Sequence, residues 1–287
     1  MTDPFDVHGD LPSLEAPTLV VAMQGWIDAS SAAEAAMTHL RRACDSRPIV
    51  TFDSDVFIDY RARRPVMEVR EGVNTRLVWS AIEMSWGRDA AGHDLVLLTG
   101  PEPDAAWHAF ARHVTSLAQR LGIRQMVGLG AYPFTTPHTR ASRLSVTSPS
   151  LEVVERLAHQ RSSVDAPAGV AALLEHALTD AGIPSLGLWV QVPHYLAASA
   201  YPPAVIALLD GLREVADLVV DTTALQREAA ELVRRIDRLV AANDEHLTML
   251  RQLEAAHDAI IDLAPERLPT GDDIAAEFER FLRDRDE

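Results

Sequence analysis

Four apolar runs in this chain stop at a glycine or proline and then present polar side chains. TLVVAMQGWID delivers Trp26 and Asp28, DLVLLTGPEP delivers Glu102, GLGAYPFTTPHTR delivers His138 and Arg140, and GLWVQVPHY delivers His194 and Tyr195. Short apolar runs separated by helical patterns describe buried strands of a largely parallel sheet, because each βα unit covers its strand on both faces. Open sheets of this kind build ligand sites beyond the carboxyl ends of their strands. These seven residues are therefore the candidate lining of one cleft.

Periodicity fills in the rest of the body. Strands are expected over 18–23, 47–52, 94–99, 125–129 and 185–192, with a short edge strand over 143–147. Helices are expected over 29–44, opened by Asp28 or Ser30 as cap, and over 104–121, 150–159, 168–181 and 203–218. Residues 66–69 and 75–81 read as a hairpin turning at Gly72. The class is α/β: a three-layer sandwich around a mostly parallel mixed sheet, followed by a C-terminal helical extension. Residues 1–218 would form the α/β domain and 219–287 the extension.

The extension carries a heptad-like seam: Leu225, Ala229, Leu232, Ile236, Leu239, Asn243, His246, Leu250, Leu253, His257, Ile260. One long helix or a helical hairpin would satisfy it. The polar members at its middle favour a hairpin folding back near 242–245, with Asn243 or Asp244 capping the second helix. Beyond Pro265, TGDDIAAEFERFLRD reads as a final amphipathic helix with Ile274, Phe278 and Phe281 or Leu282 on one face. These apolar stripes are expected to pack partly on the chain itself and partly on a neighbouring subunit.

Charge and composition narrow the function classes. A net charge of −16 argues against a nucleic-acid partner, which demands clustered cations. All 26 basic residues are arginine. That excludes a Schiff-base lysine and a P-loop lysine, since a guanidinium stays protonated. Codon bias in a GC-rich genome explains the absence most simply; freedom from lysine-directed tagging is the sharper alternative. Arg61, Arg63 and Arg64 would hold an anion or pair with nearby acids. A single cysteine, Cys44, excludes an internal disulfide, and no apolar run is long enough to cross a bilayer. The acidic, polar start MTDPFDVHGD is unlike a signal peptide, so the cytoplasm is the expected compartment.

Catalytic signatures are weak. Two imidazoles and two carboxylates among the candidates suffice for general acid–base work if they converge. No paired-histidine spacing suggests a metal site, no Gly-x-Ser-x-Gly elbow a hydrolase, and no Gly-x-Gly-x-x-Gly turn a dinucleotide. Each candidate also has a plain architectural role: His138 fixing a loop, His194 and Tyr195 closing a strand, Trp26 as a core or interface aromatic, Asp28 as a cap, and Glu102 beside a helix N-terminus. No catalytic residue, metal or cofactor is assigned.

In order along the chain, GWID, DYRARRP at 59–65, GPEP followed by Trp107 and Phe110, PHTR, VPHY and the charged helical tail carry a resemblance. Together they resemble the proteasome assembly chaperone 2 family, in its prokaryotic, actinobacterial-type stand-alone branch. The resemblance implies an α/β body and, through eukaryotic members that assist assembly of proteasome rings, a protein-interaction role. It supplies no catalytic residues. The expectation is a non-catalytic, assembly-chaperone-like factor linked to the proteasome pathway and forming a homo-oligomer such as a trimer, with neither nucleic acid nor membrane as partner. The alternative, implied by the similarity of the family's α/β fold to phosphorylase and hydrolase sheets, is an enzyme or ligand-binding protein whose strand-end cleft takes a small anionic or nucleoside-like molecule.

Overall fold

The computed structural model of the chain describes residues 3–157, 159 and 163–262. In chain order it contains β1 (Phe5–Val7), β2 (Thr18–Gln24), α1 (Ala32–Ala43), β3 (Arg47–Phe52), α2 (Ser54–Phe57), β4 (Val66–Arg70), β5 (Val73–Val78) and β6 (Glu83–Arg88). There follow β7 (Asp94–Pro101), α3 (Trp107–Arg120), β8 (Gln125–Phe134), β9 (Leu144–Thr147), α4 (Leu151–Arg156) and α5 (Val170–Asp180). The series closes with β10 (Ser185–Pro193), α6 (Pro202–Ala216), α7 (Thr223–Ala241) and α8 (Asp244–Asp262).

Eight strands form one sheet in the order β1-β3-β6-β7-β2-β8-β10-β9. Its centre, β7-β2-β8-β10, is parallel; β6, β3 and β1 extend one side antiparallel, and β9 closes the other edge antiparallel to β10. The parallel centre falls where the sequence is most continuously apolar, as strands covered on both faces require. Alternation divides those side chains between two cores: Val20, Leu97 and Val190 meet α1 and α6, while Leu19, Val96 and Leu98 meet α3 and α5. The expected three-layer sandwich is the observed one.

Several local expectations are corrected. β6 was not anticipated, because EMSWGR has no apolar run; it pairs antiparallel with both β3 and β7. β8 does not stop at Leu129 but runs through GAYPF. Pro133 is tolerated there because β2 pairs with β8 only as far as Gly128, so the missing N–H faces no ladder on that side. Gly130 serves packing: a Cβ there would lie 2.4 Å from the Trp189 indole. The hairpin of β4 and β5 forms, but as a separate two-stranded ribbon outside the main sheet.

One buried carboxyl went unnoticed in the sequence. Glu175 on α5 is only 5% exposed and accepts a hydrogen bond from Thr147 Oγ1 at 3.2 Å. Burial pushes its carboxyl up to about 7.

The extension is a helical hairpin. The Asn243 side chain accepts from the Glu245 and His246 amides at 2.9 and 3.2 Å, capping α8. Its inward stripe differs from the heptad reading: Leu225 and Leu232 pack on the α1–α6 core, and Ile236, Val240 and Leu250 form a small cluster with Leu196 and Leu247. Leu239 is 61% exposed and His246 is exposed. A straight helix repeats every 3.6 residues, so a strict 3.5 pattern drifts off the buried face. The final helix expected over 270–284 lies outside the described residues.

Candidate functional site

The loop after β8 and the turn after β10 meet the helical hairpin in one clasp. Pro193 ends β10, and the short helical turn that follows turns Tyr195 back toward the β8 loop. Its hydroxyl accepts from the His138 backbone N–H at 2.9 Å and lies 2.7 Å from His138 Nδ1. His138 Nε2 lies 3.1 Å from Asp237 Oδ1 on α7, and the imidazole is wholly enclosed. One proton arrangement satisfies every group: Tyr195 donates to Nδ1, and Nε2–H donates to the Asp237 carboxylate. Next to it, Thr139 donates to Glu254. Arg140 donates from Nε and Nη2 to the two Asp258 oxygens at 2.9 and 2.7 Å, and from Nη1 to Glu254 at 3.2 Å. The guanidinium holds the Asp258 carboxyl down at about 2. His194 is exposed and meets Tyr195 only edge-on.

Asp237, His138 and Tyr195 in series look like a proton relay, but the electrostatics oppose that use. Burial, reinforced by Asp237 and Glu254, raises the Tyr195 phenol above its ordinary range. A nucleophilic or basic tyrosine needs the opposite shift. Its oxygen is already engaged by the His138 amide and ring. The chain of bonds ties α7 to the segments that follow β8 and β10, and Thr139 and Arg140 tie α8 to the first of them.

The other expected residues fall into separate neighbourhoods. Glu102 Oε1 accepts from the Val170 amide at 2.6 Å and so closes the N-terminus of α5, not the nearer α3. Burial raises its carboxyl, opposed by that amide and by Arg63. Trp26 and Glu102 both crowd Gly169, where a Cβ would lie 2.6 Å from the carboxylate and 3.0 Å from the indole. Arg63 is paired with Asp104 at 3.1 Å, and Asp104 also accepts from the Asp59 amide at 2.9 Å. Of the two readings of the arginine cluster, the acid-paired one holds at Arg63. Asp28 accepts from the Ala33 and Glu34 amides at 2.9 and 3.0 Å, capping α1 as expected, and burial raises its carboxyl.

Asp28, Glu102, His138 and His194 all follow parallel strands, yet none bonds to another of the four. A cleft of ≈ 270 Å³ beside Asp28, between α1 and the ends of β2 and β7, is lined by Gln24, Glu34, Arg41, Glu83 and Thr99 but by neither histidine. A larger one, ≈ 350 Å³, lies at the opposite ends of the strands beside Arg88, Asp94 and Arg124. Among the described residues no cluster of three histidine, cysteine or acidic side chains could hold a metal, and no helix is long and apolar enough to cross a membrane. The residues missed from sequence were the partners: Asp237, Glu254 and Asp258. Glu254 and Asp258, four residues apart, share one face of α8. Nothing in that spacing says which loop it faces.

Comparison with known proteins follows this geometry. The PAC2 family profile matches residues 22–240. A protein of unknown function from Corynebacterium glutamicum is 31% identical, with a TM-score of 0.84 over 91% of this chain and 99% of its own. A proteasome-assembly chaperone homologue from Mycobacterium tuberculosis is 32% identical, with a TM-score of 0.75 over 81% of this chain and 99% of its own. An archaeal proteasome activator from Pyrococcus furiosus shares the fold at 17% identity, with a TM-score of 0.64 over 82% and 97% of the two chains. No curated protein sequence matches the chain.

Proposed function

The chain belongs to the PAC2 family, and from that premise we propose that it is a non-catalytic interaction factor of the assembly-chaperone kind. In this reading it works in the cytoplasm as a homo-oligomer, with a proteasome-pathway protein as partner. The observation that carries the reading is how the polar groups at the strand ends are spent. His138, Tyr195 and Arg140 are consumed in holding the α7–α8 hairpin, while Glu102 and Asp28 close helix N-termini. Of the acid and base side chains at the strand ends His194 alone is exposed, and it lines neither cleft, where an enzyme would need such a group to meet its substrate. The proteasome link rests on the relative from Mycobacterium tuberculosis, described as a proteasome-assembly chaperone homologue.

A second reading, ligand binding at the strand ends, draws on the cleft beside Asp28. An anion there would face Asp28, Glu34 and Glu83 against Arg41 alone, so charge favours a cation or a neutral polar molecule. The deciding experiment mixes the full chain with purified proteasome α- and β-type subunits of the source organism and follows sedimentation. The expected result is a defined complex and a changed rate of ring formation. No complex at concentrations well above those in the cell would overturn the proposal.

A further inference from the structure

On the α3 and α5 side of the sheet, three polar side chains converge over Gly187 of β10. A Cβ at that position would lie 2.6 Å from Thr147 Oγ1, 2.7 Å from Glu175 Oε1 and 2.9 Å from Trp189 Nε1, so only glycine leaves room for them. The Trp189 indole N–H donates to Thr147 Oγ1 at 3.2 Å, and the Thr147 hydroxyl donates to Glu175 Oε2 at 3.2 Å. These bonds lead from β10 through β9 to α5. β9 is four residues long, pairs only with β10 and forms one edge of the sheet. Leu144 and Val146 hold its other face in the α1–α6 core. On this face Thr147 is exposed, and Glu175 behind it is buried.

Among the described residues no countercharge reaches the carboxyl. β2, β9 and β10 carry no ionisable side chain, and β8 carries only Tyr132, whose hydroxyl meets Ser145 and Gln191. α3 contributes His108, Arg112, His113 and Arg120, and α5 itself His176 and Asp180. None of them pairs with Glu175, on which burial and the Thr147 hydroxyl alone act. Burial favours the neutral acid. Once ionised, the group is an enclosed charge with a single hydroxyl donor, an arrangement relieved only by water. The path for water is short, because Thr147 already stands in solvent.

We propose that Glu175, Thr147 and Trp189 form a pH-sensitive latch between α5 and the edge strand β9, closed while the Glu175 carboxyl keeps its proton and opened to water when it gives that proton to solvent. Closure is complete at acid pH and is lost as pH rises through about 7, the value to which burial lifts the acid. Opening parts α5 from β9 at Thr147 and wets the indole N–H of Trp189, while Leu144 and Val146 keep the strand on its core. The surface that this edge of the sheet offers is thereby set by pH near neutrality.

Quenching of Trp189 emission by acrylamide tests the latch on the full chain, with the Trp189→Phe protein subtracted to remove the other indoles. Between pH 6 and pH 8 the quenching constant should rise several-fold in the wild type, with a midpoint near 7, and stay constant in Glu175→Gln. Hydrogen exchange of the β2 amides, corrected for the intrinsic rate, should stay slow throughout. Constant quenching in the wild type, or an equal rise in Glu175→Gln, would overturn the latch. So would β2 exchange rising in step with the quenching, since that is loss of the whole sheet. Should Glu175→Gln fail to fold, Thr147→Val decides: it removes the donor that favours the ionised form, so the midpoint should move to higher pH, and an unmoved midpoint would overturn the proposal.

Discussion

Replacing Glu175 by Gln should stabilise the protein at neutral and alkaline pH and do little at pH 5. An unfolded glutamate ionises near 4.5, whereas the buried carboxyl holds its proton to about 7. Between those values the unfolded chain releases a proton that the folded chain keeps, so wild-type stability falls as pH rises, and the loss is complete above about 7. At about 1.4 kcal/mol per pH unit the gap corresponds to about 3 kcal/mol. Glutamine keeps the size of the protonated acid and an oxygen for the Thr147 hydroxyl, which lies 3.2 Å from the present carboxyl. Glu175→Gln should therefore gain about 3 kcal/mol at pH 8, a rise in Tm of roughly 5–10 °C, and under about 1 kcal/mol at pH 5. Urea unfolding of both proteins at pH 5, 6.5 and 8 measures this. Equal effects at pH 5 and pH 8, or a wild type whose stability does not fall across that range, would show that the carboxyl is not held neutral by burial.

Tyr195→Phe removes the oxygen that serves both the His138 amide and its ring, and should cost about 1–3 kcal/mol in chemical unfolding; a loss within error would mean the clasp is dispensable. Arg140→Ala should leave the sheet intact but speed proteolytic cleavage near Asn243 several-fold, with raised salt partly mimicking it because the ion pairs are half exposed. Unchanged cleavage would place the hairpin's anchorage in its apolar cluster.

The parallel centre was legible because its strands are apolar without interruption, and the helix caps at Asp28 and Asn243 were legible because capping is local chemistry. β6 was hidden for the converse reason. Its place between β3 and β7 is set by pairing, which a segment such as EMSWGR does not announce. The site was half visible. His138, Arg140 and Tyr195 stood out as polar groups after apolar runs, but the partners that decide their role lie in α7 and α8, and only the folded chain shows that they are bound there. The same holds for Glu102: its sequence neighbour is α3, its hydrogen-bond partner the first amide of α5.

The clasp also bears on the order of events as the chain folds. His138 and Asp237 are separated by 99 positions and Arg140 and Asp258 by 118. Loop closure over such lengths is entropically costly until the chain between has condensed. β9, β10 and α6 all lie inside that loop. The helical hairpin, held by local contacts within itself and following the sheet in sequence, therefore finds its docking site only once β8, β10 and β9 have assembled. Until that moment the histidine loop is open to solvent, so protection of the His138 amide against exchange would time the end of folding.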